Sequence, residues 1–222
     1  MNNGFEFQWH VMYESLPTLL QGAKLTLFIA VVGLLLGFVA GALLGLAKTT
    51  RTVFLRKPAG AYVEIIRGTP LMVQVMFLYF GLPMLLGMSI PAVAAGITAI
   101  AVNSAAYIAE VVRGAIQSID PGQVEAARSM GLTRLQAMRH VVWPQAFRRM
   151  IPPLGNQFII SIKDTSLLVV IGVSELTRQG QEIASVNFRA FEVWLTVALL
   201  YLAMTLSLSK ILEMAERKMK TV

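Results

Sequence analysis

Between Lys24 and Lys48 the chain runs for 23 residues, Leu25 to Ala47, with no charge and a single hydroxyl, Thr26. As a helix rising 1.5 Å per residue this stretch reaches roughly 35 Å, enough to cross a hydrocarbon core of ~30 Å. A cleaved leader is the competing reading. The run is too long for one, and the residues before it carry Glu6 and Glu14 rather than basic side chains. Composition agrees with a membrane span. Of 222 residues, 56% are hydrophobic and only 14% charged, whereas soluble domains carry ~25% charged residues. A cytosolic enzyme, a disulfide scaffold and a disordered tail are all disfavoured. With no cysteine, thiol catalysis, thiolate metal sites and disulfides are excluded.

Four more apolar runs follow, giving an all-α, five-helix transmembrane bundle. The expected helices are about 20–47, 61–88, 90–116, 154–174 and 191–213, in one domain spanning 1–222. The positive charges set its orientation. Lys48, Arg51, Arg56, Lys57 and Arg67 follow the first helix, and six arginines from Arg113 to Arg149 follow the third. Lys210, Arg217, Lys218 and Lys220 close the chain, so 15 of 19 basic residues fall on one face. The positive-inside rule puts that face in the cytoplasm, the N-terminus outside and the C-terminus inside. The net charge of +7 is then a topology signal and calls for no nucleic-acid partner. In the first run Gly33, Gly37, Gly41 and Gly45 recur every fourth residue. Such a small-residue stripe lets another backbone approach closely, either within the subunit, the favoured reading, or between subunits.

The longest polar stretch lies between the third and fourth helices. It reads as two short helices, 121–130 stopped by Gly131 and 133–142 stopped by Pro144. Glu125-Ala126-Ala127, then Gly131 after three residues and Val141-Val142-Trp143-Pro144 after nine more, resemble the EAA loop of permease subunits of ABC importers. Val141 and Trp143 replace the usual Ile and Leu. The resemblance implies that this loop, about 120–144, docks in a cleft of a separate ATP-binding subunit. Glu125, Ala126, Ala127, Gly131 and Pro144 would then be the coupling residues.

More of the chain is similar to the polar amino-acid branch of that family, the histidine/glutamine permeases, and most of all to glutamine permeases. The similar segments are Glu64-Ile65-Ile66-Arg67-Gly68-Thr69-Pro70, the stretch from Asn103 to Gly114, Pro152 to Gln157, Ile162 to Leu167 and Glu175 to Ile183. The resemblance implies a multi-pass protein of the bacterial cytoplasmic (inner) membrane. It implies a second permease subunit, identical or homologous, an ATP-binding ABC subunit, and a periplasmic or extracellular solute-binding protein. ATP and Mg would bind the ATPase, leaving this chain non-catalytic and without a cofactor.

Polar residues at membrane depth are costly and mark function. Gln157, Ser161 and Asp164 share one face of the fourth helix at i, i+4 and i+7. Asn103, Tyr107 and Glu110 repeat that spacing on the third. For an amino-acid substrate, Asp164 can neutralise the ammonium, while Gln157 and Asn103 can hydrogen-bond the carboxylate or a side-chain amide. A buried pair or a bridge to Asn103 or Glu64 is the structural alternative for Lys163 and Asp164. In the second helix Gly68-Thr69-Pro70 interrupts the hydrogen-bond ladder, and Glu64 and Arg67 can pair across one turn. Glu64 and Thr69 therefore join the candidate substrate contacts. Pro152-Pro153 reads as the start of helix four or a hinge. Gly41 to Lys48 mimics a phosphate loop but has the wrong spacing, and His10 and His140 are too far apart in sequence for a metal. A carrier or channel driven by an ion gradient, with Asp164 as its proton or cation site, is the alternative class.

Overall fold

A computed structural model describes residues 6–220. Those residues form helices joined by short turns, without strands. Helix α1 (Trp9–Thr49) contains the uncharged run and extends it towards the N-terminus by more than ten residues, past Pro17. The second apolar run is not one helix. It is α2 (Val53–Arg67) and then α3 (Leu71–Met76), which passes through a wide π-helical turn (Phe77–Gly81) into α4 (Leu82–Leu86), with a bend of 103° at Gly68-Thr69-Pro70. The chain continues as α5 (Ala92–Gln117), α6 (Pro121–Ser129) and α7 (Arg134–Ala137). A second π turn (Met138–Val142) leads into α8 (Trp143–Asp164), and a 3₁₀ segment (Thr165–Ile171) ends it. Helices α9 (Leu176–Asn187) and α10 (Ala190–Lys220) complete the fold. Four helical stretches are long and apolar enough to cross a membrane among the described residues, and the bent pair makes five when counted as one span.

Three prolines read as the end or the start of a helix are absorbed instead. Pro144 does not stop the preceding helix, and Pro152-Pro153 does not start the next; both lie inside one continuous helical path from Arg134 to Ile171. A proline ring collides with the carbonyl four residues back. At Pro144 that carbonyl belongs to His140, inside the π turn; at Pro83 it belongs to Tyr79, inside the other one. A π turn widens the ladder by one residue and relieves the collision. Helix α8 therefore begins eleven residues before the expected 154, at the end of the polar loop.

The glycine stripe packs within the chain. A methyl added at Gly41 would lie 2.7 Å from both the Ala105 carbonyl oxygen and Ile108 Cβ, and one at Gly45 2.6 Å from Val112 Cβ. Only glycine lets α1 and α5 approach so closely. Helix α5 is the most enclosed span, 56% of its most apolar stretch being buried against 11% for α10. At the far end of α8 from the polar loop, Glu175 caps α9 by accepting from the backbone of Thr177 and Arg178 at 2.9 and 2.8 Å. Thr26, the one hydroxyl of the apolar run, accepts from Leu176 N and donates to Glu175, which also accepts from Tyr201. Burial pushes the Glu175 carboxyl above the usual carboxylate range, against the pull of the Thr177, Arg178 and Tyr201 donors.

Candidate functional site: a polar cavity at the broken second span

The break at residues 68–70 is built from local hydrogen bonds. Pro70 cannot donate and disfavours helical geometry at Thr69, so α2 ends at Arg67 with its last carbonyls unpaired. The Thr69 hydroxyl donates to the carbonyls of Ile65 and Ile66 at 3.0 and 3.3 Å. Gln74, one turn into α3, reaches back with its amide N–H groups to Ile66 O at 2.8 Å and to Thr69 O and Oγ1 at 3.1 Å. Its amide oxygen accepts from Asn103 Nδ2 at 3.2 Å. The bend is thereby stapled to α5. Gln74 escaped the sequence reading because its partners lie five, eight and 29 residues away; its one signal was a buried amide in an apolar run.

A cavity of about 480 Å³ opens at this bend, lined by Arg67, Gly68, Thr69 and Leu71 from the break, Asn103 and Tyr107 from α5, and Gln157, Ile160 and Asp164 from α8. The volume falls in the range of small-molecule sites, roughly 300–1,000 Å³. Four of the six expected substrate contacts, Thr69, Asn103, Gln157 and Asp164, meet here. Ser161 does not; it is buried one turn away and shares a 3.2 Å hydrogen bond with Ser104. Glu64 does not either, being exposed on the outer face of α2. Its expected pairing with Arg67 gives way to a contact between Arg67 and Glu110 at 3.8 Å. Arg67 and Tyr107 join the lining, with the guanidinium 5.3 Å from the Tyr107 ring centroid.

The lining is equipped for a zwitterion. Asp164 faces the cavity without an ion pair or hydrogen bond among the described residues, while the neighbouring Lys163 is exposed. No bridge from Asp164 to Asn103 or Glu64 forms. Gln157 is buried, yet its amide makes no side-chain hydrogen bond among the described residues. Arg67 and Asp164 balance in formal charge, and the amide oxygen of Asn103 accepts no hydrogen bond among the described residues.

The polar loop forms a second surface. Asp120 caps α6 through Gly122 N at 2.8 Å, Gly131 turns the chain at φ 90°, and Thr133 and Gln136 form a capping box for α7. Glu125 and Ala126 face outward beside the exposed Met130 and Leu135, whereas Ala127 is buried beneath them. The two alanines thus serve opposite faces. Pro144 is exposed at the start of α8. Arg149 of α8 donates to Ser118 Oγ at 2.9 Å, and Ile119 packs with Val142, Ala146 and Met150, so loop and helix form one body. From Trp143 to Asp164 that helix spans 22 residues, roughly 33 Å, joining the loop to the cavity.

A family model for the binding-protein-dependent transport system inner membrane component matches residues 33–221. This chain belongs to that family. It is 52% identical over 216 residues to the glutamine transport system permease protein GlnP of Escherichia coli K12, covering 97% of this chain and 99% of the relative. It is 38% identical to the probable amino-acid permease YxeN of Bacillus subtilis, covering 95% of each. Among solved structures, an amino acid ABC transporter crystallised with histidines superimposes with a TM-score of 0.91 at 42% identity, covering 96% of this chain and all of that one. The inward-facing MetNI methionine transporter superimposes with a TM-score of 0.79 at 25% identity, covering 96% and 99%. The chain is therefore a multi-pass permease subunit of an ABC importer in the cytoplasmic membrane, and the ion-gradient reading is set aside.

Proposed function

We propose that this permease carries polar, net-neutral amino acids, glutamine first among them, and holds them in the cavity beside the broken second span. The charge-balanced lining is the observation that carries the reading. Asp164 meets the ammonium, Gln157 and the amide oxygen of Asn103 meet the amide, and Thr69 closes the wall. A substrate with a charged side chain would bring one unpaired charge into a half-enclosed site, which is costly. The name of the 52% identical relative supports glutamine.

In the same reading the chain enters the membrane with its N-terminus outside and pairs with a second permease subunit, identical or homologous, around the pathway. Glu125, Ala126 and the exposed apolar tip formed by Met130 and Leu135 dock in the ATP-binding subunit. Gly131 and Pro144 shape the turn that passes its closure into α8. ATP and Mg bind that partner, and a solute-binding protein delivers substrate from outside. Closure moves the loop, and α8 transmits the movement to the cavity wall at Gln157 and Asp164, switching access between the two sides.

The test is substrate-stimulated ATP hydrolysis by the assembled complex in liposomes. Asp164→Asn and Gln157→Ala are each expected to raise the glutamine concentration for half-maximal stimulation about tenfold or more. Unchanged dependence in both removes the assignment. Glu125→Arg is expected to lose the ATP-binding subunit on co-purification, and full retention with normal hydrolysis contradicts the docking.

A further inference from the structure

Of the cavity's charged residues, Arg67 is the one whose engagement is divided. It ends α2, lines the cavity, rests against the Tyr107 ring, and places NH1 3.8 Å from Glu110 Oε2. Glu110 is already served by two other cations. Lys48, from the last turn of α1, pairs with its Oε1, and Arg113 donates to Oε2 from Nε and NH2 at 3.0 and 2.7 Å. Three cations thus surround one carboxylate. Arg67 is the farthest and the most exposed, its side chain 45% accessible against 15% for Lys48 and 33% for Arg113. Its departure would leave Glu110 fully partnered, and the contact given up is long and half-solvated, a kind that contributes little. The Tyr107 face meanwhile holds the planar guanidinium at the cavity wall.

We propose that Arg67 recognises the α-carboxylate of the substrate and does so by leaving Glu110, so that occupancy of the cavity is exchanged against one arm of the ion-pair cluster joining α1, α2 and α5. The proposal rests on the cavity being the substrate site. A guanidinium offers a carboxylate two parallel hydrogen bonds, which the 3.8 Å contact with Glu110 does not. Release of Arg67 removes the ion-pair tie between the last residue of α2 and α5 directly beside the 103° bend, leaving it only the face of Tyr107, while Lys48 continues to tie α1 to α5. Substrate binding would thereby loosen the bend without loosening the scaffold.

The assembled permease–ATPase complex in nanodiscs, without the solute-binding protein, provides the assay. Isothermal titration compares glutamine with glutaminamide, its α-carboxamide. In the parent complex glutamine binds the more tightly. Arg67→Gln is expected to weaken glutamine by roughly tenfold to a hundredfold and to leave glutaminamide no weaker, collapsing the ratio. Arg67→Lys, which keeps the charge and loses the fork, falls between. Glu110→Gln removes the competitor and is expected to tighten glutamine several-fold through Arg67 alone. An unchanged ratio in Arg67→Gln and Arg67→Lys overturns the carboxylate role. Unchanged glutamine affinity in Glu110→Gln overturns the exchange. Neither result touches the cavity assignment, whereas a parent complex that binds no glutamine overturns the cavity reading and this proposal with it.

Discussion

On the side that α5 turns to α1, Gly33, Gly37, Gly41 and Gly45 bring two backbones together with no room for a methyl. On the side carrying Asn103 and Tyr107 it borders a cavity of about 480 Å³, bridged to α3 through the Asn103–Gln74 hydrogen bond. One helix is thus both the most buried of the four unbroken spans and a wall of a polar cavity. A chain that has to change the access of a site without dissolving its fold needs that division. Dispersion and close packing hold α1 and α5 as a unit. Exchangeable polar contacts line the side that has to move.

Substitutions separate the two sides. On the packed side Gly41→Leu is expected to prevent recovery of folded complex. Gly41→Ala costs about 1–3 kcal/mol by overpacking, read as a lower unfolding midpoint in detergent with substrate affinity preserved in what remains folded. On the hollow side Gln74→Ala ranks next. It strips donors from the ends of α2 and an acceptor from Asn103, at about 1–2 kcal/mol, and lowers glutamine affinity as well, because the bend loses its staple. Asp164→Asn changes stability least, within about 0.5 kcal/mol, despite its large expected effect on stimulation. A midpoint drop in Asp164→Asn as large as that in Gly41→Ala would erase the distinction between the two sides.

Much of this was legible in the residues, since each signal was local. Uncharged length marks a span, four-residue glycine spacing marks a seam, and i, i+4, i+7 polar spacing brought Gln157 and Asp164 to one wall. Ser161 shares that spacing yet turns to Ser104, because at 100° per residue the three positions fan over an arc of about 60° with Ser161 at its edge. Contacts set by tertiary geometry were not legible. Arg67 has an acid one turn back in Glu64 but reaches Glu110 on another helix. Gln74 has no local partner pattern at all. Proline misled for a related reason: it breaks the helix at Pro70, where the freed carbonyls found Thr69 and Gln74, and leaves it continuous at Pro144, where a π turn took up the strain.

Occupancy of the cavity by substrate is the central claim, and the natural chain offers a clean way to read it, having no cysteine. Ile160→Cys places one thiol on the cavity wall, and Ser207→Cys places one in the apolar groove between α1, α8 and α10. The rate of maleimide labelling is measured on the assembled complex with and without saturating glutamine. Labelling at 160 is expected to slow about tenfold or more with glutamine bound, while labelling at 207 stays constant. Equal rates at 160 with and without glutamine, in a complex that still transports it, would contradict the claim.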